Sequence, residues 1–325
     1  MRAEIGDKHI FSKILYDLTS YKIDPNLLNG ITIDSREVRE GDVFIALKGE
    51  HVDGHNFIST SLEKGALLVL NEEQKFNEVI KVDSCKQIIN FSSMMYREKM
   101  ECKVIGITGS NGKTTSKEIL FHILNGIYNI SCTKGNYNST IGLPLSLFSI
   151  SQSDDIFLAE MGTNQIGEIK FLCNVTKPDI GIITNIAEAH IENFNSINAI
   201  FEEKLNLFKS VKNDGIIFVN MDDTLLSTCN TSFNCKSIEY GFYGEYDYNE
   251  EGEFATPTPS IGLGIDLGLI TEIDDKLTAG FSIENLLGSF NWSGGTIYSS
   301  NISGELTPEE LSESDSLSEN LDQNE

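Results

Sequence analysis

A chain of 325 residues with 40% hydrophobic content can bury two packed units and part of a third, and no apolar run approaches the ~20 residues of a membrane helix. The net charge of −25 is unevenly spread: residues 245–325 hold 18 acids and one base, against 31 acids and 23 bases in residues 1–244. That balance argues against a basic nucleic-acid-binding face, and a charged N-terminus with six scattered cysteines predicts an unexported protein with reduced thiols.

Residues 1–100 alternate short strands and helices. The pattern predicts a helix over 11–18, strands over 30–36 and 42–47, a helix over 57–64 and a strand over 66–70. Asp34, Ser35 and Arg36 end a strand in a polar turn, which turn chemistry alone can explain. His51 and His55 bracket a glycine without a third metal ligand nearby and read as loop residues.

Chemistry concentrates after residue 100. Val104 to Thr108 is a short apolar strand that stops in Gly109-Ser110-Asn111-Gly112, and Lys113 onward has the apolar spacing of a helix with one buried face. A strand, a glycine loop and a helix N-terminus together make an anion site. The glycines let backbone N–H groups close on a ligand, and the helix dipole favours negative charge. Lys113 adds a positive charge for phosphates, and the Thr114 hydroxyl, followed by Thr115, is placed to ligate magnesium. Ile107 stands where the common P-loop has its first glycine, so this is a shorter variant.

Residues 133–144 form a polar, glycine-punctuated loop, in which Asn136 and Asn138 can donate side-chain amides to a carboxylate or phosphate. Asp155 to Glu160 is a buried strand ending in a carboxylate, at the strand end where open α/β sheets bind ligands. Glu160 can hold magnesium there, directly or through water. A strand over 180–185 leads to His190, so three strands deliver Thr114, Glu160 and His190 to one sheet edge. Ser196 caps an amphipathic helix carrying Lys204, and 215–223 is another strand ending in acids. The predicted fold class is α/β: a small N-terminal unit (1–100), then a P-loop-type, mostly parallel sheet with helices on both faces (101–244).

Read together, Asp34-Ser-Arg36, Asp53-Gly-His55, Gly109 to Thr115, Gly135-Asn-Tyr-Asn-Ser-Thr-Ile-Gly-Leu-Pro144, Glu160-Met-Gly162, Thr184 to His190 and Lys204 resemble the Mur ligase superfamily, in its order, over about 30–244. The Asp-Ser-Arg and Gly-Asn-Tyr-Asn blocks resemble the branch that joins D-Ala-D-Ala to UDP-N-acetylmuramoyl-tripeptide; Ser139 stands where that branch usually has a second Asn. The resemblance implies a cytoplasmic ligase of peptidoglycan precursor synthesis that uses ATP and Mg2+. It implies that residues 1–100 hold the UDP-sugar, with Ser35 and Arg36 near the nucleotide. Lys113 would contact ATP phosphates, Thr114 and Glu160 one magnesium and His190 a second, while Lys204 matches a lysine that the family carbamylates.

Beyond about residue 244 that pattern gives way. Residues 258–298 alternate apolar with small or polar residues and predict a β-hairpin, and the acidic stretch 301–325 predicts disorder. The resemblance calls for the rest of the ATP-binding domain and a third, closing domain. The expectation is therefore a truncated ligase impaired in this form. Its rivals are a non-catalytic binding protein for ATP or UDP-sugar and another ligase of the superfamily, of the folylpolyglutamate type or acting on a different murein precursor.

Overall fold

The computed structural model describes residues 1–49, 52–73, 78–188, 191–229, 233–241, 267–274 and 277–283. Residues Met1–Tyr240 form one compact unit and Gly241–Glu325 a second.

The first sheet has five strands in sequence order, β1 (Arg2–Glu4), β2 (Gly30–Thr32), β3 (Val43–Ile45), β4 (Leu68–Asn71) and β5 (Val79–Lys81). β1 runs antiparallel to β2 and the others are parallel. Helix α1 (Lys8–Thr19) is capped by Asp7, which accepts from the Ile10 N–H, and stops at Ser20 in the left-handed region. The strand predicted over 30–36 ends at Thr32, because Asp34 turns the chain by accepting the Arg36 N–H at 2.9 Å. The helix predicted over 57–64 is a 3-10 turn, Gly54–Phe57, followed by α2 (Ile58–Glu63). Helix α3 (Cys85–Arg97), with Ser84 as its N-cap, closes this part of the chain.

The second sheet has six parallel strands: β6 (Lys103–Thr108), β7 (Ile130–Cys132), β8 (Ile156–Glu160), β9 (Ile180–Ile183), β10 (Ile216–Asn220) and β11 (Lys236–Tyr240). Their spatial order is β11-β10-β9-β6-β8-β7. Helix α4 (Lys113–Leu124) follows β6, α5 (Gly142–Leu147) precedes β8, and α6 (Glu168–Thr176) leads to β9. After β9 come α7 (Ile191–Phe194) and α8 (Ile197–Ser210), the latter capped by the Ser196 hydroxyl accepting from the Ala199 N–H. The chain leaves β6 toward β7 on one side and leaves β9 toward β10 on the other. A crevice therefore opens between the C-terminal ends of β6 and β9, the point at which open parallel sheets take ligands.

One continuous core serves both sheets, running from Phe11, Leu15 and Val43 through Tyr96 and Phe148 to Phe157, Ile183 and Val219. The Tyr96 hydroxyl joins the two parts, donating to Ile150 O at 2.7 Å and accepting from the Asp7 N–H at 2.7 Å. Arg97 adds a second joint, donating from Nε to Thr176 O and from Nη1 to Met100 O. A smaller cluster around Phe44, Ile58 and Val69 fills the other face of the first sheet.

In the second unit the described strands are β12 (Leu267–Asp274) and β13 (Leu277–Ile283), paired antiparallel where the alternating sequence predicts a hairpin. The acidic stretch 301–325 lies outside the described residues.

Candidate active site

The site is built around the turn from β6 into α4. Gly112 sits at φ 78°, a conformation that disfavours any side chain. At Gly109 a Cβ would land on the Thr184 hydroxyl, so glycine is required by the close approach of the segment after β9. That segment fixes the loop from the side. Ser110 N donates to Asn185 O at 3.0 Å, Asn111 N to Asn185 Oδ1 at 3.0 Å, and Thr184 Oγ1 to Asn111 O at 2.6 Å. The Ser110 hydroxyl donates to Ala187 O at 2.8 Å. The first turn of α4, which begins at Lys113, has N–H groups with no partner inside the helix and presents them at the crevice mouth.

Two lysines converge on one backbone oxygen. Lys113 Nζ donates to Gly109 O at 2.7 Å, and Lys204 Nζ, from α8, reaches the same oxygen at 3.0 Å. Burial lowers the Lys113 ammonium, while Glu160 pulls the other way. Burial, and then the charge of Lys113, bring Lys204 down to about 7. Lys113 Nζ also donates to Ser110 O at 3.1 Å, so two ammonium groups rest on neutral carbonyls alone and make a positive spot that a bound anion would complete. They face a cleft of about 220 Å³, walled also by Asn138, Gly162, Phe194 and Ile200.

Glu160, at the end of β8, is only 1% exposed. Its Oε1 accepts from the Thr114 hydroxyl at 2.9 Å and from Asn138 Nδ2 at 2.8 Å. Its Oε2 is buried without a hydrogen-bond partner. The Thr114 hydroxyl on Oε1 and the free Oε2, with the Lys117 ammonium 3.7 Å from it, are hard oxygen donors of the kind magnesium takes, so Thr114 and Glu160 fit that ion.

The structure thus brings together Gly109, Ser110, Asn111, Gly112, Lys113, Thr114, Asn138, Glu160 and Lys204. His190, the expected second magnesium ligand, lies outside the described residues. Thr114 and Glu160 do not line the cleft themselves and join it through Asn138, whereas Thr115 and Asn136 are exposed, outside the lining and without a side-chain hydrogen bond to this set. Ser35 and Arg36 sit beyond β2, where Asp34 grips the exposed Arg36 guanidinium and Lys64 donates to Ser35 O at 2.8 Å. His51 lies outside the described residues, and His55 sits in the 3-10 turn rather than a loop, with Glu73 as a third group brought within 4.8 Å of it and Asp53. Both ring nitrogens of His55 are engaged: Nε2 accepts the Glu72 N–H at 3.1 Å, so Nδ1 carries the proton to Asp53 at 2.6 Å.

Sequence reasoning missed Lys117 and Glu203, and gave Asn185 only as part of the Thr184 to His190 block. Lys117 lies one helical turn beyond Lys113 on the same face of α4, and that spacing is the one signal that points to it.

The Mur ligase middle-domain family model matches residues 107–292, and the Mur ligase family catalytic-domain model matches residues 27–104. The chain belongs to the Mur ligase family. The middle-domain match runs past residue 244, where the sequence motifs end.

Among curated relatives, the UDP-N-acetylmuramoyl-tripeptide–D-alanyl-D-alanine ligase of Bacillus subtilis is 33% identical over 246 residues, 74% of this chain and 53% of the relative. Its counterpart in Synechocystis is 34% identical over 223 residues, 67% of this chain and 49% of the relative. The chain spans about half the length of the curated relatives it matches. Among solved structures, the MurF ligase of Thermotoga maritima in complex with ADP aligns with a TM-score of 0.61 at 28% identity, covering 78% of this chain and 57% of that one. A MurF structure from Acinetobacter baumannii aligns with a TM-score of 0.63 at 26% identity, covering 70% and 52%. Within this Mur ligase chain all six cysteines are free, and among the described residues no helix is long and apolar enough to cross a membrane.

Proposed function

We propose that this chain carries the nucleotide and UDP-sugar sites of a cytoplasmic, ATP-dependent ligase that adds D-Ala-D-Ala to UDP-N-acetylmuramoyl-tripeptide. The observation that carries the reading is the pair Lys113 and Lys204 on Gly109 O, facing a cleft beside Thr114 and Glu160. The names of the most similar relatives support the choice of substrates.

In this reading a carboxylate oxygen of the tripeptide attacks the γ-phosphorus of ATP, and the bond to the β–γ bridging oxygen breaks as ADP leaves. The amine of D-Ala-D-Ala then attacks the acyl carbon. The carbon–oxygen bond to phosphate breaks, phosphate leaves, and the amine gives up its proton to solvent. The protein's task is to hold crowded negative charge in line, which is positioning and electrostatics rather than covalent chemistry. Lys113 and the N–H groups of the first turn of α4 hold the phosphates, while Asn138 and Thr114 fix the Glu160 carboxylate. Magnesium, held by Thr114 and Glu160, would spread the charge of the phosphate oxygens. At about 7 the Lys204 amine is partly uncharged at neutral pH, the form that adds carbon dioxide to give a carbamate. Ser35 and Arg36 would meet the UDP end of the substrate.

Phosphate release by the purified chain, with ATP, magnesium and both substrates, tests the reading. Release that requires UDP-N-acetylmuramoyl-tripeptide and D-Ala-D-Ala together and vanishes in Lys113→Ala supports it. Failure of the folded chain to bind ADP removes it, and ADP binding without release leaves a nucleotide site without turnover.

A further inference from the structure

The helix after the phosphate loop carries a second lysine that the reaction does not use. Lys113 turns back over the loop to Gly109 O, whereas Lys117, one turn on, runs underneath and is completely buried. Its Nζ donates to Thr133 O at 2.8 Å and meets Glu118 Oε1 at 3.0 Å. It also stands 3.7 Å from Glu160 Oε2, the buried oxygen that has no hydrogen bond. A fully buried ammonium is expensive to desolvate, and a hydrophobic residue would fill the same space without that penalty. Its position against the unsatisfied oxygen calls for an electrostatic role.

We propose that Lys117 is a counter-charge built into the cation site, which makes divalent-cation binding at Glu160 depend on the nucleotide. The inference rests on the reading of Thr114 and Glu160 as the cation site of a nucleotide-dependent ligase. Lys117 sits between two carboxylates: Glu118 at 3.0 Å, half exposed and screened by water, and Glu160 at 3.7 Å, enclosed. Inside the protein the charges of Glu160 and Lys117 therefore largely cancel. A cation arriving at Oε2 is attracted by one carboxylate and repelled by the ammonium 3.7 Å from that oxygen, in a setting where water screens neither interaction well. Phosphate groups supply the missing negative charge from the cleft side, so the cation is held firmly only when they are present. Lys113 and Lys204 lie on the cleft side of the loop and can pair with phosphate oxygens. Lys117 is enclosed, so its charge opposes the cation at all times. It is a positioning residue, acting through Glu160.

The plainer role for Lys117 is to satisfy Thr133 O at the end of β7, and two variants of the full chain separate the roles. Lys117→Gln removes the charge and keeps an N–H donor for Thr133 O; Lys117→Met keeps only the apolar stem. The readout is Mn2+ binding followed by electron paramagnetic resonance, with and without ADP. In the unsubstituted chain, ADP is expected to tighten Mn2+ binding at least tenfold. In both variants the nucleotide-free affinity rises about tenfold, and the enhancement by ADP shrinks by the same factor, since the coupling is reciprocal. A purely structural lysine predicts a lower melting temperature, more so in the Met variant, with nucleotide-free Mn2+ affinity unchanged in Gln; that result overturns the proposal. Equal Mn2+ affinity with and without ADP in the unsubstituted chain also overturns it, and needs no variant to fold. Absence of any ADP binding by the unsubstituted chain instead removes the nucleotide reading on which the proposal stands.

Discussion

At the scale of single residues, the site is defined by charges held where water is scarce. Lys204 is 4% exposed, and burial, helped by the charge of Lys113, brings it down to about 7 in the folded chain, far below the ordinary lysine value of 10.5. Because the folded-state value is depressed, the unfolded chain binds more protons between about 7 and 10.5, and stability rises with pH across that window. Below about 7 both states are protonated and the full penalty of burying the ammonium is present. Lys204→Met is therefore expected to be more stable than the parent at pH 6, with the gap closing as pH rises toward 10. Urea unfolding at several pH values measures it. Lys113→Ala, which removes the lysine nearest the loop, should weaken ADP binding by at least tenfold, as read by calorimetry.

At the scale of elements, the phosphate loop takes its shape from a neighbour distant in sequence. Asn185 and Thr184 grip it from the end of β9, and Gly109 leaves no room for a side chain against them. Gly109→Ala should cost about 1 to 3 kcal/mol of stability by overpacking and abolish ADP binding. A similar brace holds the opposite wall. Glu203, 2% exposed on α8, accepts the N–H of Gly167 at 2.8 Å and of Ile169 at 2.7 Å, and so caps α6. Glu203→Ala should cost about 2 kcal/mol, and Glu203→Gln, which keeps an acceptor, less; thermal unfolding separates them.

These braces explain what could be read from the sequence. Val104 to Thr108 and Asp155 to Glu160 are apolar runs whose last residues point to the crevice, so Lys113, Thr114 and Glu160 were legible as a set. A helix lysine such as Lys117 reads as solvated until β7 arrives beside it and supplies Thr133 O. Strand β1 is three residues of mixed character, and its extended state comes from pairing with β2. Helix α3 was missed because its buried face includes Ser92 and Ser93, which blur the apolar period.

At the scale of the whole molecule, the two sheets of the first unit are bound through α3. Phe148 packs edge-on against both Phe11 and Tyr96, at centroid distances of 4.9 and 5.4 Å. Asp179 accepts the Val104 N–H and pairs with Lys212 at 2.6 Å, at the end of the second sheet where Arg97 arrives. Tyr96→Phe should cost about 1 to 2 kcal/mol, by leaving Ile150 O and the Asp7 N–H without their shared partner. Hydrogen exchange is expected to give the amides of β4 and β9 the same opening free energy, since a shared core makes them one cooperative unit.

That shared core also orders the birth of the protein on the ribosome. The N–H of Gly6 is held by the carbonyl of Phe148, and Phe11 is covered by the Phe148 ring, so the first residues made wait for some 140 more before their partners exist. During that interval the sides of Phe11 and Tyr96 that Phe148 will cover have no partner. Residues 1–100 made alone would keep those sides bare, and should collect in inclusion bodies where residues 1–240 do not.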